Sequence, residues 1–219
     1  MKKLYLSSYK FGRHPESLSA LAAPGSRAAI VMNAADVFGD ERRASYVADN
    51  GAVLERLGFQ FEELDLRDYF GSPERLARDL GRFGLIWAVG GNAFVLRRAM
   101  RQSGFDVEAA RRVSDGSLVY AGFSAGAVVA GSSLRSLEVV DPPDDVPTGY
   151  ELEPIWEGLG FVPYTVAPHF QSEHPESPLI DDVVADLSKR GVAFRALRDG
   201  EAIVVHGDDE RVVGSAIGD

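Results

Sequence analysis

The sequence contains no cysteine among its 219 residues. This absence excludes a thiol nucleophile, a cysteine-ligated metal and a redox-active Cys-x-x-Cys motif. The sequence also lacks any run near the roughly 18 apolar residues that a membrane-spanning helix needs. The apolar stretch Leu4-Tyr5-Leu6 ends at Ser7 and is too short for a signal peptide. We therefore expect a cytoplasmic protein with no membrane partner.

Positive charge is scarce, because 23 Lys and Arg residues stand against 33 Asp and Glu residues, which gives a formal net charge of −10. An acidic chain repels phosphate backbones, so no nucleic-acid partner is expected. The densest basic cluster comprises Arg97, Arg98 and Arg101, followed by Arg111 and Arg112. It falls on stretches with helical periodicity, and we predict that it forms a solvated face.

Short apolar runs alternate with longer amphipathic stretches through the first 131 residues. This alternation predicts an α/β fold with a doubly wound, mainly parallel sheet and helices on both faces. Strands are predicted at 3–7, 28–32, 59–66, 85–89, 118–122 and 164–168, and helices at 40–57, 93–102, 106–114, 125–131 and 177–191. Closing strands at 194–197, 202–206 and 211–217 predict a short antiparallel C-terminal extension to a single domain over 1–219.

Ser124 lies in the turn Gly122-Phe123-Ser124-Ala125-Gly126, between a predicted strand and a predicted helix of small residues. A hydroxyl becomes a nucleophile only when a base removes its proton and when a carbonyl can reach it. A strand, a one-residue turn and a helix give that access, and flanking glycines let the chain bend without a side-chain clash. The sequence therefore favours Ser124 as the nucleophile of a serine hydrolase over a structural helix cap.

The helix that follows Ser124 supplies the first candidate for an oxyanion hole. A helix N-terminus carries partial positive charge, and the backbone N–H of Ala125 would point at the developing oxyanion. A second donor is expected from the Gly90-Gly91-Asn92 loop, which follows a central strand and whose glycines allow close backbone approach. We predict an oxyanion hole from Gly91 and Ala125, with Gly90 and Asn92 beside the substrate. A plain turn is the alternative for this loop.

The chain has four histidines that could act as the base. His169 follows a predicted buried strand, and strand ends are where the sites of α/β proteins gather. His174 lies in a polar turn soon after it and is the second candidate. His14 lies in a polar loop and His206 ends a strand before a predicted hairpin, so both are expected to be structural.

The third member of a triad is a carboxylate bonded to the far nitrogen of the imidazole. Position favours Asp199, in the turn Leu197-Arg198-Asp199-Gly200 after a late strand. Asp-Gly is also a good turn sequence and acidic residues are numerous, so other carboxylates stay open. Adjacent acids such as Asp144-Asp145 diverge on regular structure, and we expect neither a metal nor another cofactor.

Together these motifs resemble the dipeptidase E family, also called the aspartyl dipeptidases, over nearly the whole chain. These are serine peptidases whose fold is like that of class I glutamine amidotransferases. The resemblance is carried by Gly90-Gly91-Asn92-Ala93-Phe94, Gly122-Phe123-Ser124-Ala125-Gly126-Ala127, Val140-Asp141-Pro142, Pro168-His169-Phe170 and Leu197-Arg198-Asp199-Gly200.

The resemblance implies a Ser-His-acid triad in which Ser124 and His169 match the nucleophile and the base. The family's acid, usually Glu, matches Asp199, which is a shorter carboxylate. The family also has an Asp in the segment that follows the turn of the nucleophilic serine. That segment is shortened here, and it leaves Glu138 or Asp141 as the alternative acids.

One departure from the family bears on the substrate. Members selective for an N-terminal Asp carry an Arg in a Gly-Glu-Thr-Arg stretch beyond the histidine, where this chain has His174-Pro175-Glu176-Ser177-Pro178. Without a bidentate cation, the physical basis for selecting Asp is missing. We therefore expect a serine exopeptidase for small peptides that is not strictly specific for Asp-x. An amidase or esterase on the same fold, a catalytically silent binding domain and a homodimeric assembly are left open.

Overall fold

The computed structural model describes residues 1–38 and 40–215, without the side chains of 40–42. Its strands are β1 (Lys3–Ser7), β2 (Arg27–Val31), β3 (Gln60–Glu63), β4 (Leu85–Ala88), β5 (Val119–Phe123), β6 (Thr165–Ala167), β7 (Phe194–Ala196), β8 (Ala202–His206) and β9 (Asp209–Val213). Its α-helices are α1 (Glu16–Ser19), α2 (Asp40–Arg56), α3 (Pro73–Leu80), α4 (Ala93–Ser103), α5 (Phe105–Asp115), α6 (Ala125–Val128) and α7 (Ser177–Arg190). Short 3-10 turns lie at Asn33–Ala35, Leu66–Tyr69 and Leu137–Val139.

The main sheet has seven strands in the order β3-β2-β4-β5-β1-β8-β9. The pairs from β3 to β1 are parallel, whereas β8 and β9 add to the β1 edge in antiparallel fashion. Strands β4 and β5 are buried along their whole length, as expected for continuous apolar runs covered on both faces. The predicted doubly wound α/β sheet with an antiparallel extension is confirmed.

Helices cover both faces of this sheet because alternate side chains of each strand enter different cores. Leu4 and Leu6 of β1 pack into a core shared with α3 to α7. Tyr5 points to the opposite core, which contains Leu18 of α1 and Leu54 of α2. Among the described residues, no helix combines the length and the apolar character needed to cross a bilayer.

Strand β7 is not part of the antiparallel edge, which corrects the expectation for residues 194–197. It pairs in parallel with β6 in a separate two-stranded sheet, where Ala167 lies opposite Ala196. Parallel strands need a crossover connection, and α7 provides it here. The predicted strand at 211–217 is β9, which begins and ends earlier, and residues 216–217 lie outside the described residues.

Two other elements are shorter than predicted. The expected strand at 59–66 is β3, and Asp65 then caps a 3-10 turn by accepting the N–H of Arg67. The expected helix at 125–131 is the four-residue α6, after which Gly131 packs against the carbonyl of Tyr164.

The basic cluster on α4 and α5 is not a solvated face throughout. Arg97, Arg98 and Arg112 are buried, and Arg98 has no exposed surface. Its guanidinium donates to the carbonyls of Pro143, Leu152 and Glu153, in the loop that covers α4. The prediction was wrong for these three residues because a guanidinium offers five donors and can satisfy carbonyls that would otherwise be buried unpaired.

Candidate active site

The turn between β5 and α6 holds Ser124 in a strained conformation. Its backbone angles are φ 48° and ψ −119°, a region that L-residues rarely adopt and that costs about 1–3 kcal/mol. A side chain on Gly122 or Gly126 would overlap the carbonyl oxygen of Ala88. The glycines therefore let α6 pack directly on the sheet, and this packing forces Ser124 out of the strand as the sequence predicts.

The Gly90-Gly91 loop lies directly against this turn. A Cβ placed on Gly90 would come within 3.1 Å of the Ser124 Cβ. Gly91 has φ 144°, and a Cβ there would overlap the Ala34 carbonyl. Within the described residues, the backbone N–H groups of Gly91 and Ala125 donate to no acceptor. The Gly91 loop and the N-terminus of α6, which carry the two predicted oxyanion donors, thus meet at Ser124.

Asn92 serves as the N-cap of α4. Its Oδ1 accepts the N–H groups of Phe94 and Val95 at 2.9 and 3.1 Å. Its Nδ2 donates to the carbonyl of Pro142 at 2.9 Å. The side chain is therefore engaged within the protein, and its predicted place beside the substrate stays a prediction.

His169 and Asp199 form a hydrogen-bonded pair. His169 Nδ1 lies 2.7 Å from Asp199 Oδ1. The imidazole is buried, and its Nε2 has no hydrogen-bond partner among the described residues. An ionised Asp accepts the Nδ1 proton, which leaves the lone pair on Nε2. This is the tautomer that a general base requires.

The small β6-β7 sheet brings this pair together. The strands end opposite one another at Ala167 and Ala196, and the chain beyond them carries His169 and Asp199. The N–H of Leu197 donates to the carbonyl oxygen of Ala167 at 2.9 Å, and this bond continues the strand pairing by one residue beyond β7. His169 itself has φ 63°, a left-handed turn conformation just beyond the end of β6.

Asp199 keeps its charge in this setting. Burial pushes the pKa of its carboxyl upward, but hydrogen bonds from His169 and Ser8, together with the imidazole charges, outweigh burial. The pKa of Asp199 therefore lies below its ordinary value. An acceptor that is ionised at neutral pH holds the His169 ring in place.

Ser8 connects all three candidate triad residues, and no sequence motif points to it. Its hydroxyl donates to Asp199 Oδ1 at 2.8 Å and accepts the backbone N–H of His169, also at 2.8 Å. Its carbonyl accepts the N–H of Ser124 at 3.1 Å. The available signal was its position, since Ser8 directly follows β1, which lies next to β5 in the sheet.

Ser124 and His169 are thus brought to one edge of the sheet, but the described structure has no hydrogen bond between their side chains. Such bonds are often long in ligand-free hydrolases and tighten when substrate binds.

The alternative acids make no hydrogen bond to His169 in the described structure. Glu138 is exposed, with no hydrogen bond to His169 in the described structure. Asp141 Oδ2 accepts the N–H of Ala93 at 2.9 Å. Burial raises the pKa of Asp141 to about 7; the bond from Ala93 opposes this shift, and the charges of Glu176 and Asp145 add to it. Of the proposed acids, the structure brings only Asp199 to His169.

The turn after His169 packs back on the imidazole. The rings of His169 and His174 stack with centroids 3.7 Å apart and planes 12° from parallel. Glu176 Oε2 lies 4.0 Å from His169 Nε2, and Tyr9 meets both imidazoles at their edges. The predicted second base, His174, is therefore a direct neighbour of the first.

An open cavity of about 1060 Å³ borders the pair on the Asp199 side. Its lining includes Tyr9, Arg13, His174, Arg198 and Asp199. Arg13 Nη1 donates to the carbonyl of Gly214, and Arg198 Nη2 donates to Gln171 Oε1. Two guanidinium groups thus stand near the site, although the stretch in which the family carries its Arg has none.

Comparison with known proteins gives a match to a family and to individual relatives. The sequence model of peptidase family S51 matches residues 17–213. The chain is 30% identical over 153 residues to peptidase E of Streptomyces coelicolor (strain ATCC BAA-471 / A3(2) / M145), a match that covers 66% of this chain. It is 27% identical over 174 residues to a probable alpha-aspartyl dipeptidase of Drosophila melanogaster, covering 77% of this chain. The matches span 58% and 67% of those relatives' lengths.

Solved structures show the same fold. A peptidase E candidate from Listeria monocytogenes EGD-e superposes with a TM-score of 0.79 at 22% identity, covering 99% of this chain and 100% of that one. A peptidase from an acI-B1 Actinobacterium has a TM-score of 0.69 at 20% identity, covering 99% and 88%. These likenesses confirm the predicted fold, that of class I glutamine amidotransferases. Because the family model covers most of the sequence, the chain belongs to peptidase family S51, a family of serine-type peptidases, and the predicted family resemblance is confirmed.

Proposed function

We propose that the protein is a cytoplasmic serine exopeptidase that hydrolyses small peptides through Ser124, His169 and Asp199. The observation that carries the proposal is the 2.7 Å hydrogen bond between His169 Nδ1 and Asp199 Oδ1, at the sheet edge where Ser124 projects from its strained turn. Membership of family S51 supports the same reaction class.

The reaction is acyl transfer. His169 Nε2 takes the proton of Ser124 Oγ as the oxygen attacks the peptide carbonyl carbon. The backbone N–H groups of Gly91 and Ala125 stabilise the oxyanion, each worth about 3–4 kcal/mol in serine hydrolases. His169 then gives its proton to the leaving amine. Water, activated by the same imidazole, hydrolyses the acyl-enzyme and releases Ser124.

Asp199 holds the His169 ring and stabilises the imidazolium that forms during the attack. The shorter reach of Asp, relative to the Glu usual in the family, is met by the β6-β7 pairing, which brings the two strand ends together. Ser8 supports both members by its hydroxyl.

The substrate preference is proposed to be broader than Asp-x. In the stretch where Asp-selective relatives carry an Arg, this chain has a neutral or weakly basic imidazole and a carboxylate, His174 and Glu176. Arg13 and Arg198 line the adjoining cavity, but they come from other loops and are tied to Gly214 and Gln171.

A panel of dipeptides tests the proposal. Asp-Leu, Glu-Leu, Ala-Leu and Lys-Leu, each with and without an acetylated N-terminus, are incubated with the protein and with Ser124→Ala, and free leucine is measured. We expect several unblocked dipeptides to be cleaved, with kcat/KM values within about tenfold of one another, and no cleavage by Ser124→Ala. Turnover of Asp-Leu alone would overturn the broad preference. Absence of any turnover, with Ser124 still reactive, would favour the amidase or esterase alternative.

A further inference from the structure

Three side chains beside the candidate base converge on a common point. His169, His174 and Glu176 each present a metal-ligating atom, and these atoms all lie within 4.8 Å of one another. His169 Nε2 is 4.0 Å from Glu176 Oε2, and the same oxygen is 3.8 Å from His174 Nδ1. Two imidazoles and one carboxylate are a ligand set that suits zinc and similar transition-metal ions.

His169 is prepared to act as a ligand. Its Nε2 is buried and has no hydrogen-bond partner in the described part of the chain, which is costly for a polar atom. Asp199 accepts the proton of Nδ1 at 2.7 Å and therefore leaves the Nε2 lone pair free. A carboxylate behind the imidazole is the arrangement that orients most metal-bound histidines and raises their basicity.

We propose that His169, His174 and Glu176 form an inhibitory site for a divalent ion of the zinc type. Three protein ligands leave one tetrahedral position for water. Zn–N and Zn–O bonds near 2.0–2.1 Å place ligand atoms about 3.3 Å apart, so the observed separations of 3.8 and 4.0 Å must close by about 0.5–0.7 Å. The two imidazole nitrogens, which lie within 4.8 Å of each other, must approach to the same distance.

Closing the site requires a movement of His174. Its ring is stacked parallel to that of His169, and its Nδ1 accepts the backbone N–H of Glu176 at 3.3 Å, so the His174 ring must tilt toward the ion and give up this hydrogen bond. The side chain is partly exposed and belongs to the turn between β6 and α7, which leaves it room to tilt. Glu176, which is more exposed, can approach from the same turn.

Occupation of the site would disable the base. The ion takes the Nε2 lone pair that would otherwise accept the Ser124 proton, so binding and proton abstraction exclude each other. Binding does not require Ser124 to be reactive, whereas inhibition rests on the proposed function. The two consequences can therefore be measured separately.

Zinc binding is measured first, on metal-free protein, by displacement of Zn²⁺ from a chromophoric chelator and by titration calorimetry. We expect one ion per chain. His174→Ala and Glu176→Gln should each weaken binding at least tenfold, and Asp199→Asn, which removes the supporting carboxylate, by about 10–100-fold. His14→Ala is the matched control, because His14 pairs with Glu16 at 2.8 Å with the same spacing in sequence but without a third ligand. It should leave the affinity unchanged.

Inhibition is measured by the rate at which a fluorophosphonate labels Ser124. Zn²⁺ should slow labelling, a chelator should restore it, and His174→Ala should need at least tenfold more Zn²⁺ for the same effect. The site is refuted if about 100 µM Zn²⁺ does not bind, or if both His174→Ala and Glu176→Gln, with native circular dichroism, keep wild-type affinity. If Ser124 is not labelled even without zinc, the proposed function fails, and chelator displacement still decides on the site.

Discussion

The nucleophile and the His169–Asp199 pair are held in different ways. Ser124 is fixed by a continuous stretch of chain, from β5 through α6, whose glycines let the helix pack against the neighbouring strand. His169 and Asp199 come from two short strands of a separate sheet, joined through α7. The first arrangement is local, and the second depends on tertiary packing.

The difference determines which substitutions disturb the nucleophile and which disturb the His169–Asp199 pair. A substitution in the turn between β5 and α6 acts within a few residues of Ser124. The pair, in contrast, relies on β6, β7 and the hydroxyl of Ser8, which comes from the end of β1. Ser8 is the one described contact that reaches all three residues, since its carbonyl also accepts the Ser124 N–H.

The largest effect is expected from removing the nucleophile. Ser124→Ala should lower kcat about 10⁵–10⁶-fold in the dipeptide assay, because triad residues act as a unit. Ser124→Gly should be equally inactive and more stable by about 1 kcal/mol, because glycine relieves the strain at φ 48°. Thermal denaturation of the two variants measures this difference. Equal stabilities of Ser124→Ala and Ser124→Gly would show that the backbone at Ser124 is not strained.

The next largest effect is expected from a change in the His169–Asp199 pair. Asp199→Asn should lower kcat by about 10³–10⁴-fold without unfolding the protein, because the amide no longer holds the Nδ1–H tautomer of His169. Glu138→Gln is the matched control, since Glu138 is exposed and makes no hydrogen bond to His169 in the described structure. A loss below tenfold for Asp199→Asn, or a comparable loss for Glu138→Gln, would assign the acid elsewhere.

Ser8 tests how the two arrangements are linked, because it lies neither in the β5–α6 turn nor in the β6–β7 segment and contacts both. Ser8→Ala should lower kcat about 10–100-fold, with little change in KM, since it removes one hydrogen bond from Asp199 and one from the His169 backbone. The lower pKa in the pH profile of kcat/KM should shift as well. Ser8→Thr, which keeps the hydroxyl, should recover most of the activity. A purely structural role would change stability and leave the pH profile as in the wild type.

The smallest functional effect is expected at Asp141, which belongs neither to the Ser124 turn nor to the His169–Asp199 pair. Its substitution should change the stability of the protein. Its pKa is about 7 when folded, against an ordinary value of 3.8 for an Asp carboxyl, so the folded chain binds this proton more tightly. This contribution to stability is therefore present below pH 4 and is lost as the pH rises to about 7. Asp141→Asn should gain about 2–3 kcal/mol on the wild type between pH 5 and pH 8, in urea unfolding at both pH values. A difference that is independent of pH would contradict the raised pKa.

The parts of the fold that sequence could predict are those set by local patterns. Continuous apolar runs predicted β2, β4 and β5, and the glycine-flanked sequence predicted the sharp turn at Ser124 between a strand and a helix. The pairing of β7 with β6 could not be predicted, because a short strand carries no mark of its partner, and tight turns made an antiparallel edge the simpler expectation.

The site shows the same limit. Asp199 was favoured by position and resemblance alone, since only tertiary packing selects one carboxylate among 33 acidic residues. Ser8 was missed because a serine after a strand has no distinguishing local pattern. The burial of Arg98 was missed because the carbonyls that it satisfies lie in a loop distant in sequence.

The central claim is that the His169–Asp199 pair activates Ser124. It is tested most directly by the rate of fluorophosphonate labelling, with the modified residue identified by mass spectrometry, in the wild type and in His169→Gln. We expect a single adduct on Ser124 in the wild type and a rate at least about 10³-fold lower in His169→Gln. Labelling of Ser124 at equal rates in both proteins, or no labelling of Ser124 in the wild type, would contradict the account.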